Sequence, residues 1–289
     1  MVKITASGLA LQRHGGVRLA GGSFAGVYDA IPSIAAAYGM RRLRSLYTGN
    51  LLRLRRDSDN AESNFGYTAA GDLDTAAIAT WLGAASGYVT TWYDQSGNGY
   101  NAVQTTAANQ PLYVASGQNG KPVGRWDGIN DSLIVASITL PTFFSLLVAA
   151  KFTTAKPLLI EHSVNAANND GFFLYGSNND MVKIRRGIGN IHSVPGLLSW
   201  MTANWSVVSA VYDGTHLVRR NAVAATNGTP TGTALSNSNA TAGLYIGSRA
   251  GTSVFGQGDL AELVIGNIAW SAAQYQAAEV VTNSYWGVY

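Results

Sequence analysis

Short apolar runs rich in β-branched and aromatic residues, bounded by Gly, Asn or Asp, recur along most of the chain. They include "GYVTTWY", "SLIVASI", "FFSLLVAAKF", "GFFLYG", "MVKIRRG", "WSVVSAVYDG", "HLVRRNA", "GLYIGSR" and "LAELVIGNI". Most have the length of a single strand, and turn residues separate one run from the next, which predicts an all-β sandwich. Two stretches break this pattern. "LDTAAIATWLGAASG" predicts a short helix capped by Asp74, with Ile78, Trp81 and Leu82 on one face. Near the end, Ser271 and Gln274 stand at capping-box spacing before "YQAAEVVTN", which predicts a second helix. Residues 1–22 stand apart: Leu9, Leu11, Val17 and Leu19 alternate on either side of "RHGG", as in a small hairpin or attachment arm. Residues 23–289 read as one unit, with no linker and no repeat of fixed period.

Composition agrees with that picture. A chain of 289 residues, 47% hydrophobic, with 33 glycines and only 12% charged residues, suits many short strands joined by tight turns. The net charge of +3 is too small to call for a nucleic-acid partner. Arginine is concentrated in "RRLRSLYTGNLLRLRR", where Arg41, Arg42, Arg44, Arg53, Arg55 and Arg56 interleave with Leu43, Leu46, Leu52 and Leu54. Two strands with leucines inward and a solvated arginine face account for the segment. Cysteine is absent, which removes disulfides, thiolate metal sites and cysteine nucleophiles. The first residues lack the apolar core of a signal peptide, and no run approaches membrane-spanning length. The expectation is synthesis in a cytoplasm, with no membrane insertion.

Candidate chemistry concentrates in "TWYDQSGNGYNAVQ". Asp94 and Asn98 can bond nearby backbone while Gly97 and Gly99 take positive φ, so the segment reads as a structural corner. Asp127, Asp131 and Asp213 stand in similar turn contexts, and Glu161 beside His162 is the best acid–base pair on paper. His14, His162, His192 and His216 show no metal-binding spacing. No cofactor is called for, and Asp57, Asp59, Asn60 and Glu62 leave calcium as a lesser candidate. Trp92, Trp126, Trp205 and Trp286 fall in core patterns, whereas Tyr100, Tyr113 and Tyr175 lie nearer turns and are candidates for a ligand-binding patch.

Several segments taken in order carry a family resemblance: "AAYGMRRLRSLYTGNLLRLRRDSDN", "FGYTAAGDLD", "VTTWYDQSGNGYNAVQTTAANQPLYV" and "GKPVGRWDGINDSL". They resemble the catalytic module of α-L-arabinofuranosidase B and the wider concanavalin A-like, laminin-G-like modules of tailed-phage proteins. The resemblance implies a two-sheet antiparallel jelly roll whose relatives handle carbohydrate. It also implies a Glu nucleophile on a middle strand and an Asp acid after an "IG" pair, but Lys183 and Arg185 stand in "DMVKIRRG", and Ser248 and Arg249 in "YIGSRAG". These departures make the expected function a non-catalytic decoration or fibre protein of a phage virion, binding surface glycan. Residues 1–22 would attach it to other virion proteins, and the module would be a homo-oligomer. The alternative is a glycoside hydrolase acting on polysaccharide, with a carboxylate pair placed elsewhere.

Overall fold

The computed structural model describes residues 25–152, 158–163, 171–175, 180–185, 191–195, 204–224 and 240–289. The expected arm over residues 1–22 lies outside the described residues. The first half carries β1 (Ile34–Gly39), β2 (Leu52–Arg56), β3 (Glu62–Phe65), α1 (Thr75–Leu82), β4 (Gly87–Trp92), β5 (Ala102–Val103), β6 (Leu112–Val114), β7 (Val123–Asp127), β8 (Leu133–Leu140) and β9 (Phe144–Phe152). There follow β10 (Leu158–Ser163), β11 (Gly171–Tyr175), β12 (Asp180–Arg185), β13 (Ile191–Pro195), β14 (Ser206–Tyr212) and β15 (His216–Arg220). The described elements end with β16 (Val223–Ala224), β17 (Ala240–Ile246), β18 (Gln257–Gly266) and α2 (Ala272–Trp286).

All described pairings are antiparallel, and the molecule is a β-sandwich. β18 is the long central strand. Along one edge it pairs with β9, which continues through β14 to β15 and β16. Its other edge is shared: Gln257–Leu260 pair with β7, and Glu262–Gly266 pair with β1. From β7 the ladder runs through β6 and β4 to β2 and β3, while β8, β17, β10, β11, β12 and β13 form a second series. β5 joins the two by pairing with both β4 and β8.

The core is built around aromatic rings from different strands. Trp92 lies 5.8 Å from Tyr38 and 6.5 Å from Trp126, centroid to centroid, and all three are fully or almost fully buried. Trp126 satisfies its indole by donating to the Ile246 carbonyl at 3.2 Å. Its ring fixes the identity of Gly247, where φ is +89° and an added Cβ would lie 2.1 Å from the indole.

Both helices follow the local signals of the sequence. Asp74 caps α1 by accepting from the Ala77 N–H at 3.0 Å, and Gln274 accepts from the Ser271 N–H at 2.8 Å at the start of α2. α2 is clamped to the sandwich by buried charge. Glu262 on β18 is fully buried and accepts from Arg41 Nε at 2.9 Å, Trp286 Nε1 at 2.9 Å and the Tyr28 hydroxyl. A carboxylate removed from water is tolerated only when donors replace its hydration, and this one is surrounded by them. Arg219 pairs with Glu279 of α2 in the same way, 2.8 Å apart.

The arginine-rich segment departs from the sequence expectation. Only Leu52–Arg56 is a strand of the two expected; Leu43 is buried, but Leu46 is 88% exposed. Arg41 points inward to Glu262, and Arg42 donates to the carbonyls of Arg44 and Tyr47 in the connecting loop. Arg53 and Arg56 bind Glu62 and Asp59, while Arg55 donates to Asn60 at 3.0 Å. Guanidinium groups thus engage three of the four side chains that suggested calcium, and Asp57 accepts from the Ser86 N–H.

Candidate active site

A cleft of about 860 Å³ opens where β7 and β18 meet. Strand alternation builds its floor. Arg125 and Asp127 share one face of β7 while Trp126, between them, turns into the core and closes the bottom. Across the ladder Arg125 faces Asp259, and Asp127 faces Gln257. On the other side of β18, Asp259 faces Lys151 of β9. A single carboxylate therefore lies between two cations on the cleft floor. Arg125 grips it with two bonds of 2.6 and 3.0 Å, a planar fork matched to a carboxylate. The wall is braced by Arg55, which donates to Gln110 at 2.7 Å and lies 5.0 Å from the Tyr88 ring centroid.

The turn "WDGIND" supplies two further carboxyl groups from the end of β7. Asp127 Oδ1 accepts from the N–H groups of Ile129 and Asn130, and Gly128 takes φ +75°. Asp131 folds back so that its Oδ2 accepts from the Asp127 N–H at 2.9 Å. Asp127 stays exposed while Asp131 is only 6% exposed. Burial pushes the Asp131 carboxyl up to about 7; the bond from the Asp127 N–H opposes this, and the Asp127 charge adds to it. Two neighbouring carboxyl groups thus meet different surroundings, Asp131 shielded and raised, Asp127 open to the cleft.

Ser132, next in the chain, places its hydroxyl 2.6 Å from that of Ser248. β8 and β17 pair with Leu133 opposite Ile246 at this end of the ladder. Ser248, at the position where the family resemblance puts an acid, thus bonds the residue that follows Asp131. Of Lys183 and Arg185, the structure places the backbone on β12.

The other sequence candidates lie elsewhere. Asp94 is buried and accepts from the N–H groups of Ala37, Ser96 and Tyr100, while Asn98 donates to the carbonyls of Ile34 and Ala35. Gly97 and Gly99 have φ of +95° and +80°. The segment ties β1 to the end of β4. Tyr113 is a core residue, 7% exposed, so it forms no surface patch; burial pushes its hydroxyl up to about 12. Tyr100 is half-buried against the core, and neither of these two tyrosines lines the cleft. Tyr175 ends β11. Glu161 and His162 are fully buried on β10, with Glu161 3.6 Å from Arg249 and His162 Nε2 3.0 Å from the Ile138 carbonyl. Neighbours on a strand point to opposite faces, so the pair does not converge on one substrate. Asp259 and Lys151 were not legible as site residues, because only the pairing of distant strands brings them together.

Comparison with known proteins places this geometry in context. Residues 26–125 match the family model "Alpha-L-arabinofuranosidase B, catalytic". An arabinofuranosidase solved with arabinofuranosyl-α-1,2-xylobiose superposes with a TM-score of 0.66 at 15% identity, over 90% of this chain and 64% of that one. The fold is the arabinofuranosidase β-sandwich. A GH54 α-L-arabinofuranosidase soaked with a cyclic sulfate inhibitor gives a TM-score of 0.64 at 16% identity, with the same coverage. The binding domain of Paraclostridial Mosquitocidal Protein 1 gives 0.51 at 14% identity, over 67% of this chain and 49% of that one. The chain thus spans 64% of the length of the two enzymes. No curated protein matches. These findings overturn the expectation of a non-catalytic phage virion protein: the matching model is that of a catalytic domain, and the two fuller matches are enzymes. Turn chemistry accounts for Asp127 and Asp131 locally, and the same turn delivers both to a cleft.

Proposed function

We propose that the chain is a glycoside hydrolase acting on arabinofuranosyl linkages in polysaccharide, with Asp131 as proton donor and Asp127 as nucleophile. The observation that carries this reading is the carboxyl pair of the "WDGIND" turn, one member shielded and the other open to an 860 Å³ cleft. Asp131 gives its proton to the glycosidic oxygen as the bond to the anomeric carbon breaks, so the rest of the polysaccharide leaves as a neutral alcohol while the arabinosyl unit stays behind. The Asp127 carboxylate adds to the anomeric carbon from the opposite side, and water releases the sugar with Asp131 now taking the proton. Direct attack by Asp127 followed by water gives retention of configuration. Arg125 and Asp259 brace the floor beneath them.

The test is hydrolysis of 4-nitrophenyl α-L-arabinofuranoside, with the anomer of the first product read by proton NMR. Turnover that is lost in Asp131→Asn and in Asp127→Asn, with the retained anomer formed first, supports the assignment. Turnover that is untouched by both substitutions refutes it.

A further inference from the structure

A second hollow of about 480 Å³ adjoins the first, and the two share Lys151. Its lining includes Arg220, Trp205, Asn204 and Asn221 and, among the described residues, contains no carboxylate. This contrasts with the first cleft, where Asp57, Asp127, Asp131 and Asp259 accompany the cations. Lys151 sits across the ladder from Asp259, whose two oxygens are already held by Arg125. Arg220 donates from Nε to the Ser206 hydroxyl at 3.0 Å, and the Asn221 side chain accepts from the Val207 N–H at 2.9 Å. The hollow is therefore a fixed polar pocket with two cationic groups, walled by a half-buried tryptophan.

We infer that this second hollow binds an acidic sugar unit, a uronate carried by the polysaccharide, while the neighbouring linkage lies over the Asp127–Asp131 turn. The chemistry of the lining selects that class. A guanidinium and an ammonium recognise a carboxylate, amide side chains suit sugar hydroxyls, and the indole gives the apolar wall that a sugar ring covers. A neutral arabinan offers no charge for the Lys151 ammonium and the Arg220 guanidinium to recognise. This inference rests on the hydrolase reading for the position of the scissile bond, but the binding it describes can be measured by itself.

The experiment is calorimetric titration of the purified protein with uronate-bearing oligosaccharides and with the same oligosaccharides after chemical reduction of the carboxyl groups. The expected result is about tenfold tighter binding of the acidic form at low salt, with the preference shrinking as salt is raised. Lys151→Gln and Arg220→Gln should each reduce that preference, with circular dichroism melts showing which variants remain folded. Charge reversal in Lys151→Glu should abolish it. Equal affinity for acidic and reduced forms overturns the inference, as does a preference that survives all three substitutions in folded protein. Acid-selective binding without hydrolysis of any arabinofuranoside would sink the hydrolase reading alone. Hydrolysis without acid preference would sink this one alone.

Discussion

Asp131 combines shielding from water with a position at the edge of an open cleft, and the two together define its chemistry. A donor poised near 7 is protonated in mild acid and loses its proton as the medium turns alkaline. Activity should therefore fall as pH rises through about 7, which a kcat/KM profile on an aryl arabinofuranoside would show. Asp131→Asn should lower kcat by about 10²-fold or more with KM little changed. The same substitution has a thermodynamic signature of opposite sign. Because folding raises this pKa above its unfolded value near 4, the favourable contribution is complete below pH 4 and is lost as pH climbs to about 7. Asn keeps the acceptor for the Asp127 N–H without the charge. Urea unfolding should find the variant more stable than the parent at pH 8, by about 1 kcal/mol after allowance for solvent screening, and equal to it at pH 3.5. The sequence showed Asp127 and Asp131 as turn residues, which they are, since the relevant contacts are local. Exposure was not legible, because it depends on strands that come together from distant parts of the chain.

At the level of elements, the clearest sequence signals were those that act over three or four residues. Asp74 and the Ser271–Gln274 pair fixed where the helices begin, and the alternation in "GYVTTWY" corresponds to β4. The arginine-rich segment misled for a complementary reason: alternation cannot distinguish an outward arginine from Arg41, whose partner lies on a strand more than two hundred residues later. The buried Arg41–Glu262 pair should be costly to split. Arg41→Met leaves Glu262 short of a counter-charge at the foot of α2, and thermal or urea unfolding should register a loss of about 3–5 kcal/mol. The double variant Arg41→Met, Glu262→Leu should recover part of it. Gly247→Ala should also destabilise, by about 1–3 kcal/mol, since the new methyl meets the Trp126 ring that closes the cleft floor.

For the whole molecule, the antiparallel sandwich was legible from the repeated short apolar runs, and the site was not. Its floor forms only when β7 and β18, more than a hundred residues apart, pair over the first four residues of the central strand. That pairing places Arg125, Asp259 and Lys151 in one row and sets the "WDGIND" turn above them. The resemblance indicated the scaffold but directed attention to β12 and to Ser248, while the carboxyl groups stand on the neighbouring turn. The most direct measurement is release of 4-nitrophenol from 4-nitrophenyl α-L-arabinofuranoside by the purified protein, run beside folded Asp131→Asn and Asp127→Asn. The account predicts turnover by the parent protein and its near-complete loss in both variants. Folded parent protein that releases no nitrophenol, or variants that release it as fast as the parent, would contradict it.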